Sequence, residues 1–571
     1  MYITWNVTGV NQVWRLDGAD KFPVQMTGGA DVTTVQAIAP DDSFVVVHRD
    51  RKGEENPGIY ILSPNGGPLV EVQHKVGVQT ELEFVSDDSK YVYFRSNDVT
   101  NDSYAIYRWE HATKKRELVF SEKGIWNVAD HRPDGKLLLH KEVGGNMAEV
   151  FEWDPAKKVL TPLFGQGERE DYDAKYGAKE GEVLVVTPKF GEFRRLYSWE
   201  AAKFTHVGKE RNADVSIKTD RIHKRLFLMW NEAGYTKTTV LDGASYKPIE
   251  LPKLPEGDHV MAGRSTRDGR FTSFFVDTGK GPGQPYVYDW STAKLTRWLV
   301  PSTPEMDTEG FARATLESYP ARDGTKIPMF VWQTKACETA DKPCPVVVSF
   351  HGGPEGQIVA GFNRTAQLFA EAGFVFAAPN VRGSDGYGRS WIHADDGAKR
   401  LKVITDIEDA GKYAREKWKR NGIAPKVGIM GGSYGGYSTL AGMTMFPGVY
   451  DAGASVVGIS NLMTFLQNTA PYRRILRISE YGDPEKDKDA LVELSPITHV
   501  QKIAAPLLLV QGANDPRVPL GEAIQMFEAV QKREVPTKLV VFPDEGHGSQ
   551  KRENKVLELG YILDWFGKYL K

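Results

Sequence analysis

The stretch K-V-G-I-M-G-G-S-Y-G-G-Y, Lys426 to Tyr437, has the residue types of a nucleophile presented at the tip of a turn. Apolar residues lead in as a short buried strand, and a glycine-walled turn follows with one serine, Ser433. In a strand-turn-helix elbow the nucleophile's backbone is strained. Small residues two before and two after it, here Gly431 and Gly435, let the neighbouring chain pass without a Cβ clash. A hydroxyl held in this way can attack a carbonyl carbon. A plain tight turn is the structural alternative, since a bare G-x-S-x-G arises by chance in a chain with 56 glycines. Two partners that follow in order favour the chemistry. P-L-L-L-V-Q-G (Pro506 to Gly512) reads as a buried strand with Asp515 just past its end, and K-L-V-V-F (Lys538 to Phe542) reads as another with His547 in the loop beyond. His547 would take the proton from Ser433 and return it to the leaving group, while Asp515 fixes the imidazole tautomer. Taken singly, Asp515 is a turn former before Pro516 and His547 an exposed loop histidine. Asp544 is the nearest rival acid, but it follows the wrong strand.

A fourth segment, V-V-V-S-F-H-G-G-P (Val346 to Pro354), reads as a strand ending in a turn that offers backbone N–H groups to a developing oxyanion. The second donor is the residue after the nucleophile, Tyr434. Gly353 is the choice for the loop donor and Gly352 the alternative, and an ordinary β-turn is the plain reading. The order Ser, Asp, His is that of the α/β-hydrolase triad, and all three groups stand at the carboxyl ends of strands, where open α/β sheets place their sites.

H-G-G-P (His351 to Pro354), N-V-R-G-S-D-G-Y-G-R (Asn380 to Arg389), G-G-S-Y-G-G (Gly431 to Gly436), N-D-P-R-V-P around Asp515 and E-G-H-G (Glu545 to Gly548) together resemble the prolyl oligopeptidase family of serine peptidases (S9), in particular its acylaminoacyl-peptidase-like branch. The resemblance implies a peptidase using Ser433, Asp515 and His547. It also implies that Arg517 holds a substrate carbonyl or carboxylate, against which stands a salt bridge that stiffens the acid loop.

The glycine-rich loop Arg382 to Arg389 lacks the Gly-Lys-Ser/Thr ending of a phosphate cradle and reads as a loop covering the cleft. The 12 histidines are scattered without metal-ligand spacing, so neither a metal nor another cofactor is expected. His393, Asp395 and Asp396 come nearest to a metal cluster and read as a solvated loop.

The first half of the chain has a different rhythm. Turn signals recur at Asp41, Asp87, Asp134, Glu180, His223 and Asp268, at intervals of about 45 residues. Each is followed by strand-like runs such as F-V-V-V-H and then I-Y-I-L. One four-stranded blade per repeat makes a β-propeller. Six full repeats, plus the last strands of a further blade in Tyr2 to Gly29, give seven blades. The first strand of that blade is absent, so either another part of the chain closes the ring or the natural protein begins upstream, which the family comparison favours. Nothing in Met1 to Asp20 resembles a signal peptide.

At 571 residues the chain has room for two or three domains. The expected division is a seven-bladed propeller over 1–305 and an α/β-hydrolase domain over 306–571 with a doubly wound, mostly parallel eight-stranded sheet, the boundary falling in the proline-rich segment Pro301 to Gly310. A net charge of −3 with interspersed signs gives no reason to expect nucleic acid or an anionic membrane as partner. No run is apolar and long enough to span a bilayer. The two cysteines, Cys337 and Cys344, flank one short polar excursion that a disulfide could staple, which suits a periplasm or the medium, with the cytosol as alternative. The open edge of the first blade allows pairing with a second chain, so a homo-oligomer stays open.

These elements combine into a serine oligopeptidase or exopeptidase whose propeller admits only short peptides. Trp391, Phe465 and Leu466 are the candidates for an apolar pocket beside the serine, and core or lid packing is the plain alternative for each. An esterase would use the same triad, and a peptide-binding scaffold would use none of it. A dipeptidyl mode needs acids for the substrate's free amine, for which Glu168, Glu170 and Asp171 form only a charged loop. An acylaminoacyl mode needs a pocket for a blocked end.

Overall fold

The computed structural model describes residues 1–19, 21–300 and 305–571. Pro301 to Pro304, in the expected boundary segment, lie outside the described residues, as does Asp20.

Short antiparallel sheets fill the first half. The first has three strands, Tyr2–Trp5, Gln12–Arg15 and Val24–Gln25. Four-stranded sheets follow in sequence order, and the last two are joined through a single parallel pairing, Thr236 with His259. Counted this way, the described residues form seven blades. The repeated turn signals have a local cause: the Asp41, Asp134 and Asp268 carboxylates each accept from the backbone N–H two residues on, at 3.0, 3.2 and 3.0 Å, so aspartate starts the turn from the first strand into the second. That second strand is apolar on both faces because blades pack face to face; Val183–Thr187 is wholly buried. No inner strand from the described residues completes the first blade. Arg264 Nη1 and Arg267 Nη2 of the seventh blade donate to the Gln36 and Ala39 carbonyls of the second, at 2.8 and 2.5 Å, and so tie those two blades directly.

The second half holds an eight-stranded sheet in the order Thr315–Pro320, Lys326–Trp332, Val375–Pro379, Val346–Phe350, Val427–Gly432, Ala452–Val456, Leu507–Gly512, Thr537–Phe542. The first two strands run antiparallel and the other six are parallel. Alternation sends neighbouring residues to opposite faces: Val346, Val348, Ile429, Leu507 and Leu509 enter one core, Val347, Met430, Leu508 and Val510 the other. Helices cover both, which is why these strands read as unbroken apolar runs. Cys337 and Cys344 form a disulfide in the excursion before Val346–Phe350. No described helix is long and apolar enough to cross a membrane.

One rim of the propeller meets the helical half. Blade loops supply Lys52, Gly53 and Glu55 from the second blade, Gly145 from the fourth and Arg194 from the fifth.

Candidate active site

Ser433 ends the strand Val427–Gly432 and precedes the helix Tyr434–Met445, with φ 59° and ψ −118°. Its neighbours must be glycine for steric reasons. A Cβ on Gly435 would stand 2.0 Å from the Phe350 carbonyl oxygen, and one on Gly431 2.5 Å from that same atom. Such contacts are impossible without moving the adjacent strand, so the glycines let the elbow nest against Val346–Phe350. The turn His351–Pro354 follows that strand, and a Cβ on Gly352 would lie 3.9 Å from Ser433 Oγ. Among the described residues no hydrogen bond takes up the N–H of Gly352, Gly353 or Tyr434.

Asp515 and His547 meet beyond the ends of two neighbouring strands. His547 Nδ1 lies 2.7 Å from Asp515 Oδ2. The other carboxylate oxygen accepts from the Arg517 and Val518 N–H groups at 2.8 and 3.0 Å, and Gln511 Nε2 donates to Oδ2 at 3.2 Å. The aspartate side chain is fully buried and the histidine side chain 11% exposed. Asp544, the rival acid, is taken up by Lys551 and Asn554. No hydrogen bond joins Ser433 to His547 among the described residues; contacts of this kind tighten when substrate binds.

Arg517 does not point at open space. Its Nε is paired with Glu55 Oε2 at 2.5 Å, and Glu55 Oε1 accepts from the His547 N–H at 3.0 Å. The salt-bridge alternative thus describes its state here, with the partner supplied by the propeller. Trp391 is half-buried, its indole N–H given to the Val381 carbonyl at 3.1 Å. Phe465 and Leu466 are 3% and 1% exposed, turned into the core by the helix Leu462–Asn468, and Phe465 packs against Tyr481. Both belong to the buried core that also holds Tyr434 and Tyr481.

The Arg382–Arg389 loop ties the two halves together. Asp385 pairs with Arg194 at 2.7 Å, Arg389 with Glu170 at 3.1 Å, and Ser390 N–H donates to Glu192 at 2.7 Å. Glu168 is occupied by Lys189 at 2.7 Å and Asp171 by Arg194 at 2.6 Å. All three acids of that loop are therefore committed to cations. His393 pairs with Asp396 at 3.0 Å; the carboxylates of Asp395, Asp396 and Glu480 lie close together, and Asp395 and Glu480 pair with the buried Arg400 guanidinium rather than standing open in a loop.

A cavity of about 540 Å³ opens between the fourth blade and the His351–Pro354 turn, lined among others by Asn127, His140, Glu142, Gly353, Glu355 and Arg477. Glu142 has no cation within ion-pair distance among the described residues, only the Asn127 amide at 3.2 Å, and burial raises its carboxyl above the ordinary value. Among the described residues the buried Nε2 of His140 has no partner, and burial pulls its imidazole down to about 4. Neither residue carried a sequence signal, because both sit in an ordinary blade strand. Glu55 was equally silent.

The family model described as "Prolyl oligopeptidase family" matches residues 360–571. Over 97% of its length the chain is 34% identical to dipeptidyl aminopeptidase BIII of Pseudoxanthomonas mexicana, covering 83% of that protein. A prolyl endopeptidase structure superposes with a TM-score of 0.84 at 21% identity, over 99% of this chain and 89% of that one. The acylaminoacyl peptidase of Pyrococcus horikoshii does so at 0.71 and 16% identity, over 98% and 92%. With the propeller, the parallel sheet and the Ser433 elbow in place, the end-to-end likeness to a dipeptidyl aminopeptidase means that this chain belongs to the prolyl oligopeptidase family and is a serine peptidase.

Proposed function

We propose that this peptidase removes dipeptides from the free amino ends of short peptides by acyl transfer through Ser433. The observation that carries the reading is the 2.7 Å bond from His547 to Asp515 on the same sheet edge as a strained serine flanked by free N–H groups. With its Nδ1 proton given to Asp515, His547 keeps the Nε2 lone pair to accept the Ser433 proton as Oγ attacks the scissile carbonyl. The oxyanion is met by the Tyr434 and Gly353 N–H groups, with Gly352 as the alternative donor, each worth about 3 kcal/mol in the barrier. Collapse expels the amine, protonated by His547. Water then cleaves the acyl-enzyme by the reverse proton route.

The name of the relative matched end to end supports the dipeptidyl mode, and Glu142 supplies the anchor. It is an unpaired acid in the cavity that the oxyanion turn borders, suited to a substrate ammonium. The propeller rim over the catalytic loops supports restriction to short, flexible chains. The Cys337–Cys344 bridge supports a periplasmic or secreted location, which cell fractionation tests. The decisive experiment is mass spectrometry of products from a peptide library with free and acetylated amino ends. Dipeptides released from free-ended members alone, at rates above those on matched esters, are expected. Release of single acetylated residues would overturn the dipeptidyl mode, and turnover surviving in Ser433→Ala would overturn the nucleophile.

A further inference from the structure

Behind the elbow lies a charged assembly that acyl transfer, as just described, leaves unused. Arg400 is wholly buried. Its Nη2 reaches Asp395 Oδ2 at 3.0 Å and Glu480 Oε1 at 2.5 Å. Tyr434, the residue after the nucleophile, donates its hydroxyl to the same Asp395 oxygen at 3.2 Å. The Arg400 guanidinium lies 5.3 Å from the Tyr434 ring centroid and 4.6 Å from that of Tyr481, and Tyr437 stacks on Tyr434 at 5.3 Å. Tyr434 is 4% exposed and so is fixed at its ring face and at its tip.

Assembling these charges is costly. Removing each ion from water costs several kcal/mol, and a well-packed apolar cluster of equal volume is often as stable or more so. Asp395 Oδ1 and Arg400 Nη1 also remain without partners, so the network does not reach full satisfaction. Packing alone gives no reason for it. Its position gives one. Ser433 is held at a positive φ that a serine leaves readily. Relaxing that strain means rotating the Ser433–Tyr434 peptide unit, whose N–H is the proposed oxyanion donor. On the backbone side the Ser433 carbonyl is held by the Tyr437 N–H at 2.9 Å. The Ser433 N–H is bonded to the Val456 carbonyl at 2.9 Å and Ser438 Oγ donates to the Tyr434 carbonyl at 3.0 Å; the Tyr434 side chain is a further handle on that peptide, because rotation would carry the ring away from Arg400 and Tyr437 and off Asp395.

We infer that Asp395, braced by Arg400 and Glu480, is a positioning residue for the reaction: it pins the Tyr434 hydroxyl and thereby keeps the adjacent N–H aimed at the oxyanion. The inference rests on the reading of Ser433 as nucleophile. It predicts an effect on the transition state and little on substrate binding, because the assembly acts on the reaction only through the Tyr434 N–H, whose bond forms with the oxyanion.

The test compares Tyr434→Phe, Asp395→Asn and the double variant, with kcat expressed per site titrated by a fluorophosphonate. Tyr434→Phe is expected to lower kcat about tenfold with KM nearly unchanged, and to weaken binding of a peptide aldehyde, which forms the tetrahedral adduct, by the same factor. The double variant should be no worse than the poorer single, since both act through one bond. A purely structural role would lower thermal stability and the titratable fraction while leaving kcat per site intact, and that result would overturn the inference. Tyr434→Phe removes one oxygen and decides the matter even if Asp395→Asn fails to fold. Ser433→Ala is measured alongside: activity there would sink the acyl-transfer reading itself, whereas an inactive Ser433→Ala beside a fully active Tyr434→Phe would sink this inference alone.

Discussion

Glu55 offers the sharpest perturbation of the active site from outside it. It sits in a loop of the second blade where Lys52, Gly53 and Glu55 all have positive φ, and the loop is so close to the histidine turn that a Cβ on Gly53 would meet Gly546 N at 2.5 Å. One carboxylate oxygen accepts from the His547 N–H at 3.0 Å, and the other pairs with Arg517 at 2.5 Å. The two contacts differ in worth. The Arg517 side chain is 43% exposed, so solvent screens that pair to under about 1 kcal/mol. The bond from the His547 N–H to a charged acceptor in a half-buried turn is worth about 1.5–3 kcal/mol. Glu55→Gln keeps an acceptor for the N–H and loses the charge, so kcat/KM should fall by less than about fivefold. Glu55→Ala loses both, frees the turn carrying the imidazole and should cost about 10- to 100-fold. The assay is hydrolysis of a dipeptidyl p-nitroanilide at matched titrated site concentration, with thermal unfolding as the control for global damage. Full activity in Glu55→Ala would refute the argument. Equal losses in the two variants would show that charge rather than the hydrogen bond matters.

Three further outcomes follow from other sites. Glu142→Gln should raise KM for peptides with a free amino end by about tenfold or more while leaving kcat nearly intact; equal KM for both forms, measured on the same peptide series, would remove Glu142 from substrate binding. Gly435→Ala should abolish turnover and fluorophosphonate labelling together, since its methyl would stand 2.0 Å from the Phe350 oxygen, whereas Gly560→Ala, with open space at its Cβ, serves as the active control. Burial pushes the Glu83 carboxyl up to about 7, with Arg95 opposing. The folded state then holds a proton that the unfolded chain loses, so this group's contribution falls by about 3 kcal/mol as pH rises from about 4.5 through about 7. Glu83→Gln, which keeps an acceptor for the Val128 N–H, should gain stability over the parent across that window in denaturant titrations, and a pH-independent difference would contradict the assignment.

Much of this protein was legible in its residue order because the rules that wrote it are short-range. The blade rhythm follows from aspartates that close their own turns two residues on. The parallel sheet follows from apolar runs that alternate between two buried cores. Gly431 and Gly435 follow from steric exclusion around one serine, and Asp515 and His547 stand just past the ends of their strands. These signals reach at most a few residues along the chain. Arg517 shows where they stop: its place beside Asp515 was readable, but its partner was not, because Glu55 lies far away in sequence and nothing local marks it. Phe465 and Leu466 mark a related limit, since an apolar side chain on a helix looks the same whether it lines a pocket or fills a core.

What the sequence by itself determined is the pair of architectures and the identity and order of the groups proposed to do the chemistry. Only the tertiary structure decided which groups brace them: Glu55 on the histidine turn, Glu142 facing the cavity, Arg400 and Asp395 behind Tyr434. A hydrogen bond between segments hundreds of residues apart depends on the docking of surfaces, and docking leaves no period, spacing or turn signal in either segment.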